Sequence, residues 1–148
     1  MNCSAEFCKN RATEEEIAAH LFLCDSRFVP PLSSRADIKE YTHKIYTNAM
    51  RFEAWAEGEL IGMVAIYCDN LRQHLGYITS LSVLSKPPAT GIASQLLSMG
   101  VDYLKQSGFS RVELEVDTEN QKAIRLYDRH GFVVAKSDGR TLLMRLDL

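Results

Sequence analysis

Asn120, Ala123 and Tyr127 stand three and four residues apart in NQKAIRLYDRHGF, which puts an amide, a small gap and a phenol on one helical stripe. Upstream, KPPATGIASQLL (Lys86 to Leu97) sets a glycine among small residues where an apolar strand gives way to an amphipathic helix. The first N–H groups of a helix have no partner inside it, and the aligned peptide dipoles add partial positive charge, so an anion is favoured there. Pro87 and Pro88 lack that donor, whereas Ala89, Thr90, Gly91, Ile92 and Ala93 keep it. Only Ile92 is bulky, and helical spacing turns it inward, so a phosphate can approach this backbone closely. A helix that merely begins with proline explains the turn equally well, and a tyrosine on a helix is most often packing.

The elements that must position these residues follow from periodicity. Thr13 and Glu16 form a capping box ahead of Ile17, Ala18 and Leu21, predicting a helix that stops before Pro30. A second helix is expected from Ser34, with Asp37 in its first turn and Ile38, Tyr41, Ile45 and Ala49 on one face. From Arg51 the period changes: RFEAWAE and ELIGMVAIYC read as a hairpin across Glu57-Gly58, and GYITSLSVL as a third strand. The helix opened by PPATGIAS carries Ile92, Leu96, Leu97, Gly100, Val101 and Leu104 inward and stops at Gly108. RVELEVD alternates strictly as a strand. Thr118 and Gln121 suggest a second capping box, with a helix from Glu119 to a glycine stop at Gly131. A closing hairpin turns at Asp138-Gly139. The strand-helix-strand unit from Gly76 to Asp117 must cross over between parallel strands, whereas the hairpins are antiparallel. The fold class is therefore α/β (α+β): a mixed, mostly antiparallel twisted sheet with helices on both faces around a central parallel strand-helix-strand unit.

The totals narrow the function. The 148 residues suit one domain, 1–148. A net charge of -2 offers no general attraction to nucleic acid or anionic membrane, so an anionic ligand needs local donors in a pocket. No apolar run is long enough to span a bilayer. The opening MNCSAEFCKN lacks the features of a signal peptide, so a cytoplasmic location is expected. Cys3, Cys8, Cys24 and Cys68 make no C-x-x-C pair and the histidines are scattered; free thiols and no metal are the expectation.

Taken together, SVLSKPPATGIASQLL resembles the V-x-x-x-x-(R/Q)-x-x-G-x-(G/A) segment, and NQKAIRLYDRHGF the N-x-x-A-x-x-L-Y-x-x-x-G-F segment, of the GNAT superfamily of acyl-CoA-dependent N-acyltransferases. The resemblance implies acetyl-CoA as acyl donor. Its pyrophosphate would lie on the backbone of Ala89, Thr90, Gly91, Ile92 and Ala93, with Ser94 next in line, and its pantetheine arm along Leu81, Ser82 and Val83. Asn120 would bond the cofactor beside the gap at Ala123, and Tyr127 would lie near its sulfur. Pro88 stands where the family usually has Arg or Gln, and Lys86, Lys122 and Arg125 are candidates to supply the missing charge.

The implied reaction is direct transfer of an acetyl group to a primary amine of a small molecule, amino sugar or peptide. It requires a base, an oxyanion donor and an acid for the departing thiolate. The family pattern makes Tyr127 the acid. A backbone N–H near Val83 is the oxyanion donor, and Glu115 is the candidate base, with Tyr77 or Thr79 as holders of a relay water. The acceptor would sit between the 27–32 loop and the 136–140 turn, and a homodimer is compatible with the chain. The alternative is a GNAT-fold acyl-CoA-binding or sensory module with weakened catalysis, of which Pro88 would be the sign.

Overall fold

A short strand the periodicity does not announce, β1 (Glu6–Lys9), begins the fold. The computed structural model describes residues 5–85 and 91–148. Helix α1 (Glu14–Cys24) starts at the expected capping box: the Thr13 hydroxyl accepts from the Glu16 amide, and the Glu16 carboxylate from that of Thr13. Two 3-10 turns, Asp25–Arg27 and Leu32–Ser34, lead to α2 (Ile38–Asn48). Asp37 rather than Ser34 caps α2, its carboxylate accepting from the Glu40 amide; Ser34 belongs to the preceding turn.

Strands β2 (Ala49–Ala56) and β3 (Glu59–Asn70) form the expected hairpin, and β2 absorbs Ala49 from the predicted helix. Then come β4 (Leu75–Val83), α3 (Ile92–Gln106), β5 (Arg111–Asp117), α4 (Gln121–Arg129) and the hairpin β6 (Val133–Asp138) and β7 (Thr141–Asp147). The second capping box does not form. Asn120 caps α4, its side-chain oxygen accepting from the Ala123 amide, and the Gln121 side chain donates to the Thr118 carbonyl instead. Asparagine is among the strongest N-cap residues, so the helix begins two residues later than Thr118 suggests.

The sheet order is β1-β2-β3-β4-β5-β7-β6, antiparallel except for β4 and β5. On one face Val64, Ile66 and Leu114 share a core with Leu96, Leu97 and Leu104 of α3 and with Phe132, and on the other Met63 and Ala65 share one with Ile17 and Leu21 of α1 and Ile45 of α2. Each fully buried Leu or Ile contributes about 1.5–3 kcal/mol, so these faces lock the helices to the sheet. At Gly100 an added Cβ would lie 2.7 Å from Ile66 Cδ1, the close approach that seats α3 on β3.

Two irregularities shape the centre of the sheet. Ala65 pairs with Ser80 but Ile66 pairs with Ile78, which leaves Thr79 as an extra residue bulged from β4. The parallel pairing of β4 with β5 runs only from Leu75/Arg111 to Ile78/Leu114, although β4 continues to Val83 and β5 to Asp117. Beyond Ile78 the two strands part.

Candidate active site

The parted strands leave the β4 edge from Thr79 to Val83 without a strand partner on the β5 side. Backbone groups of a strand alternate in direction. The Leu84 amide donates to the Ile61 carbonyl of β3 over 2.8 Å, so the Val83 amide points the other way, into the opening.

Two clefts occupy this opening. The first, about 290 Å³, is lined by the β4 edge at Leu81, Ser82 and Val83, by Gly91, Ala93 and Ser94 at the start of α3, and by Asn120, Ala123 and Tyr127 of α4. Gly91 adopts the left-handed conformation (φ 79°) as N-cap of α3, and no side chain among the described residues caps the first-turn amides. Ile92 turns its side chain into the core and presents only its backbone here. Ala89, Thr90, Pro88 and Lys86 lie outside the described residues. The Asn120 oxygen is spent on capping α4, while its amide nitrogen makes no hydrogen bond among the described residues. An unpaired strand edge, an uncapped helix start and an unspent amide fit a long group that carries both amides and phosphates, as acetyl-CoA does.

Charge near this cleft comes from places that spacing does not reveal. Lys122 lines it as expected, joined by Arg27 and Arg129, whereas Arg125 does not. Cys24 also lines it, but burial pushes its thiol up to about 11 against the opposing charge of Arg27, which leaves it a poor nucleophile.

The second cleft, about 300 Å³, lies across the same strands. Phe28, Val29, Pro30 and Arg35 of the α1–α2 connection form one wall, Thr79 and Ser80 of β4 the floor, and Glu115 and Asp117 of β5 the other wall. Of the 27–32 loop, Leu32 is in the core and not on this wall; the 136–140 turn contributes nothing, and Thr141 beside it does. Tyr41 donates its phenolic O–H to the carbonyl of the bulged Thr79 over 2.6 Å and accepts from its hydroxyl at 2.8 Å, which holds the bulge open. Burial and then the Glu115 charge push the Tyr77 phenol up to about 12.

Asn120, Ala123, Leu81, Phe28 and Tyr127 line both clefts, so the two meet at Tyr127. Its ring is buried, tilted at 58° against Phe132 with centroids 5.7 Å apart. Burial alone pushes its phenol up to about 12, and its hydroxyl has no partner among the described residues. The proton is thus retained and available to a group placed in the junction.

One buried cluster escaped the reading of the sequence. The Ser82 hydroxyl lies 2.8 Å from His20 Nε2, and His20 Nδ1 lies 3.0 Å from the Leu60 carbonyl. A carbonyl only accepts, so Nδ1 carries the proton and Nε2 accepts from Ser82. This joins α1, β3 and the part of β4 that lines the first cleft. His20 and Ser82 are 62 residues apart, and no local pattern announces such a contact.

The comparisons agree with this geometry. Over 119 residues the chain is 33% identical to N-alpha-acetyltransferase MAK3 of Arabidopsis thaliana, covering 79% of this chain and 63% of that protein. Over 92 residues it is 35% identical to mycothiol acetyltransferase of Acidimicrobium ferrooxidans, covering 61% of this chain and 29% of that protein. The chain thus spans less than two thirds of each of these relatives. The crystal structure of PaiA N-acetyltransferase from Thermoplasma acidophilum in complex with coenzyme A shares the fold, with TM-score 0.73 at 15% identity over 97% of this chain and 99% of that one. The acetyltransferase (GNAT) family profile matches residues 15–132, and the chain belongs to that family.

Proposed function

We propose that this chain is an N-acetyltransferase, one catalytic domain over 1–148, that binds acetyl-CoA in the first cleft and a primary amine in the second and joins them by direct attack. The observation that carries this reading is the meeting of both clefts at Tyr127 of α4, where β4 and β5 have parted beyond Ile78. Acetyl-CoA, when bound, supplies an acetyl thioester, which an uncharged amine attacks without prior covalent attachment to the protein.

Each residue then has a limited task. Glu115 accepts the proton that the ammonium form must lose, directly or through water near Thr79 and Tyr77. The Val83 amide donates to the carbonyl oxygen where negative charge develops. Tyr127 is the acid. Its pKa of about 12 exceeds the roughly 8.5 of an ordinary thiol, so full proton transfer runs uphill and a hydrogen bond to the departing sulfur carries the stabilisation. The N–C bond forms as the C–S bond breaks, and the second proton, shed by the new amide nitrogen, goes to the departing thiolate. Asn120 and the α3 start hold the cofactor, aided by Arg27, Lys122 and Arg129 where Pro88 lacks a basic side chain.

Release of free thiol from acetyl-CoA, followed with a panel of amines, tests the reading. Amine-dependent thiol release supports it. Pro88 favours a second reading, a cofactor-binding module with weakened catalysis, which predicts tight acetyl-CoA binding without thiol release for any amine.

A further inference from the structure

The second cleft places one cation opposite one anion, and neither has an ionic partner among the described residues. Among the described residues Arg35 is the only cationic side chain lining it. Glu115 projects from β5 on the far wall, on the side of the strand away from the buried Leu114 and Val116. The third charged group, Asp117, is already engaged: one oxygen lies 3.5 Å from Arg140, and the other accepts from the Glu119 amide at 2.8 Å.

Arg35 is held in place by a pinned loop. Its amide donates to the Leu32 carbonyl over 3.1 Å. The adjoining turn is tied down where the Asp25 carboxylate accepts from the Ser33 amide at 2.7 Å and the Ser33 hydroxyl at 2.6 Å. Both charges line the one cleft whose floor is Thr79 and Ser80 of β4. A neutral amine would cover Arg35 without pairing it, and a polyamine would be repelled by it.

Resting on the reading of this cleft as the acceptor site, we propose that the acceptor carries a carboxylate close to its amine, with the amine against Glu115 and the carboxylate against Arg35. The carboxylate has two chemical sources, the α-carboxylate of a free amino acid or the side chain of an Asp or Glu that begins a peptide.

The test is steady-state transfer at saturating acetyl-CoA to free aspartate, free glycine and three peptides that differ only in a first residue of Asp, Asn or Lys. The expected result is a kcat/KM for the carboxylate-bearing acceptor about tenfold or more above its neutral counterpart, the effect of one charge-assisted contact. Preference for the free amino acids assigns the α-carboxylate, and preference for the Asp-initiated peptide assigns the side chain. Arg35→Ala should collapse the ratio to about one through KM, and Arg35→Lys should restore part of it. Arg35→Glu should invert the ratio toward the Lys-initiated peptide, a gain that misfolding cannot produce. Equal turnover of all acceptors, or selectivity that survives Arg35→Glu, overturns the proposal and leaves the acetyltransferase reading standing. No transfer to any amine overturns both.

Discussion

Ser82 donates its hydroxyl to His20 Nε2 over 2.8 Å, so the strand that lines the first cleft is fixed from behind by a neutral imidazole whose other nitrogen donates to Leu60. His20→Ala leaves a buried hydroxyl and a buried carbonyl without partners. It should lower stability by about 2–3 kcal/mol and weaken acetyl-CoA binding as β4 loosens. Chemical denaturation and calorimetric titration measure the two effects.

The same ring makes stability depend on pH. Desolvation lowers its folded pKa below the usual 6.5, so under mildly acidic conditions the unfolded chain binds a proton that the folded chain refuses. Its contribution is therefore complete above the unfolded pKa and is lost as pH falls through 6.5 toward the folded value. The slope should approach about 1.4 kcal/mol per pH unit. Denaturation midpoints between pH 7.5 and 5.5 should fall for the native chain and flatten in His20→Gln. His130, lowered by partial burial and the neighbouring Arg129 charge, adds a smaller contribution of the same sign.

Tyr127→Phe removes the only hydroxyl among the described residues that lines both clefts, at their junction with Ala123 and Asn120. It should lower kcat by about 100-fold, the low end of what a positioned acid contributes, with the acetyl-CoA dissociation constant changed by less than about threefold. A variant that turns over its acceptor at the native rate removes Tyr127 from the chemistry.

Glu115→Gln keeps the shape of the cleft wall and deletes the base. The kcat/KM should drop about 100-fold near neutral pH and recover as rising pH supplies the amine already deprotonated. A pH-rate profile that matches the native one excludes Glu115 as the base.

How much of this was legible in the sequence depended on the distance over which each contact acts. The α4 stripe of Asn120, Ala123 and Tyr127 is local, encoded in residues three or four apart, and the structure brings it to one opening with Gly91, whose left-handed conformation the sequence reading did not include. The error at Thr118 was also local, because Asn120 is the stronger cap and the Thr118 amide is held by the Arg140 carbonyl. What stayed hidden links distant residues. Glu53 looks like the polar face of a strand, yet it is fully buried. It accepts from the Arg11 and Ala12 amides, Arg51 Nε and Trp55 Nε1, and so anchors the chain just after β1. Tyr41 on Thr79 and Arg35 across from Glu115 likewise depend on tertiary placement.

That buried pair supplies a structural prediction. Glu53→Ala strands the Arg51 guanidinium, itself only 4% exposed, in the core. The loss should be about 3–5 kcal/mol by denaturant unfolding, against less than about 1 kcal/mol for removing Glu6, the exposed ion-pair partner of Arg11.

The most direct test of the central claim, that the parted strands form an acetyl-CoA site completed by α4, is thermal unfolding with and without acetyl-CoA for the native chain and for Ala123→Trp. At about 100 times its dissociation constant, a ligand specific to the folded state adds about 2.7 kcal/mol, which should raise the native midpoint by about 5–10 °C. The tryptophan fills the gap between Asn120 and Tyr127 and should abolish that rise. No rise for the native chain at millimolar acetyl-CoA, or an equal rise in both proteins, would contradict the assignment.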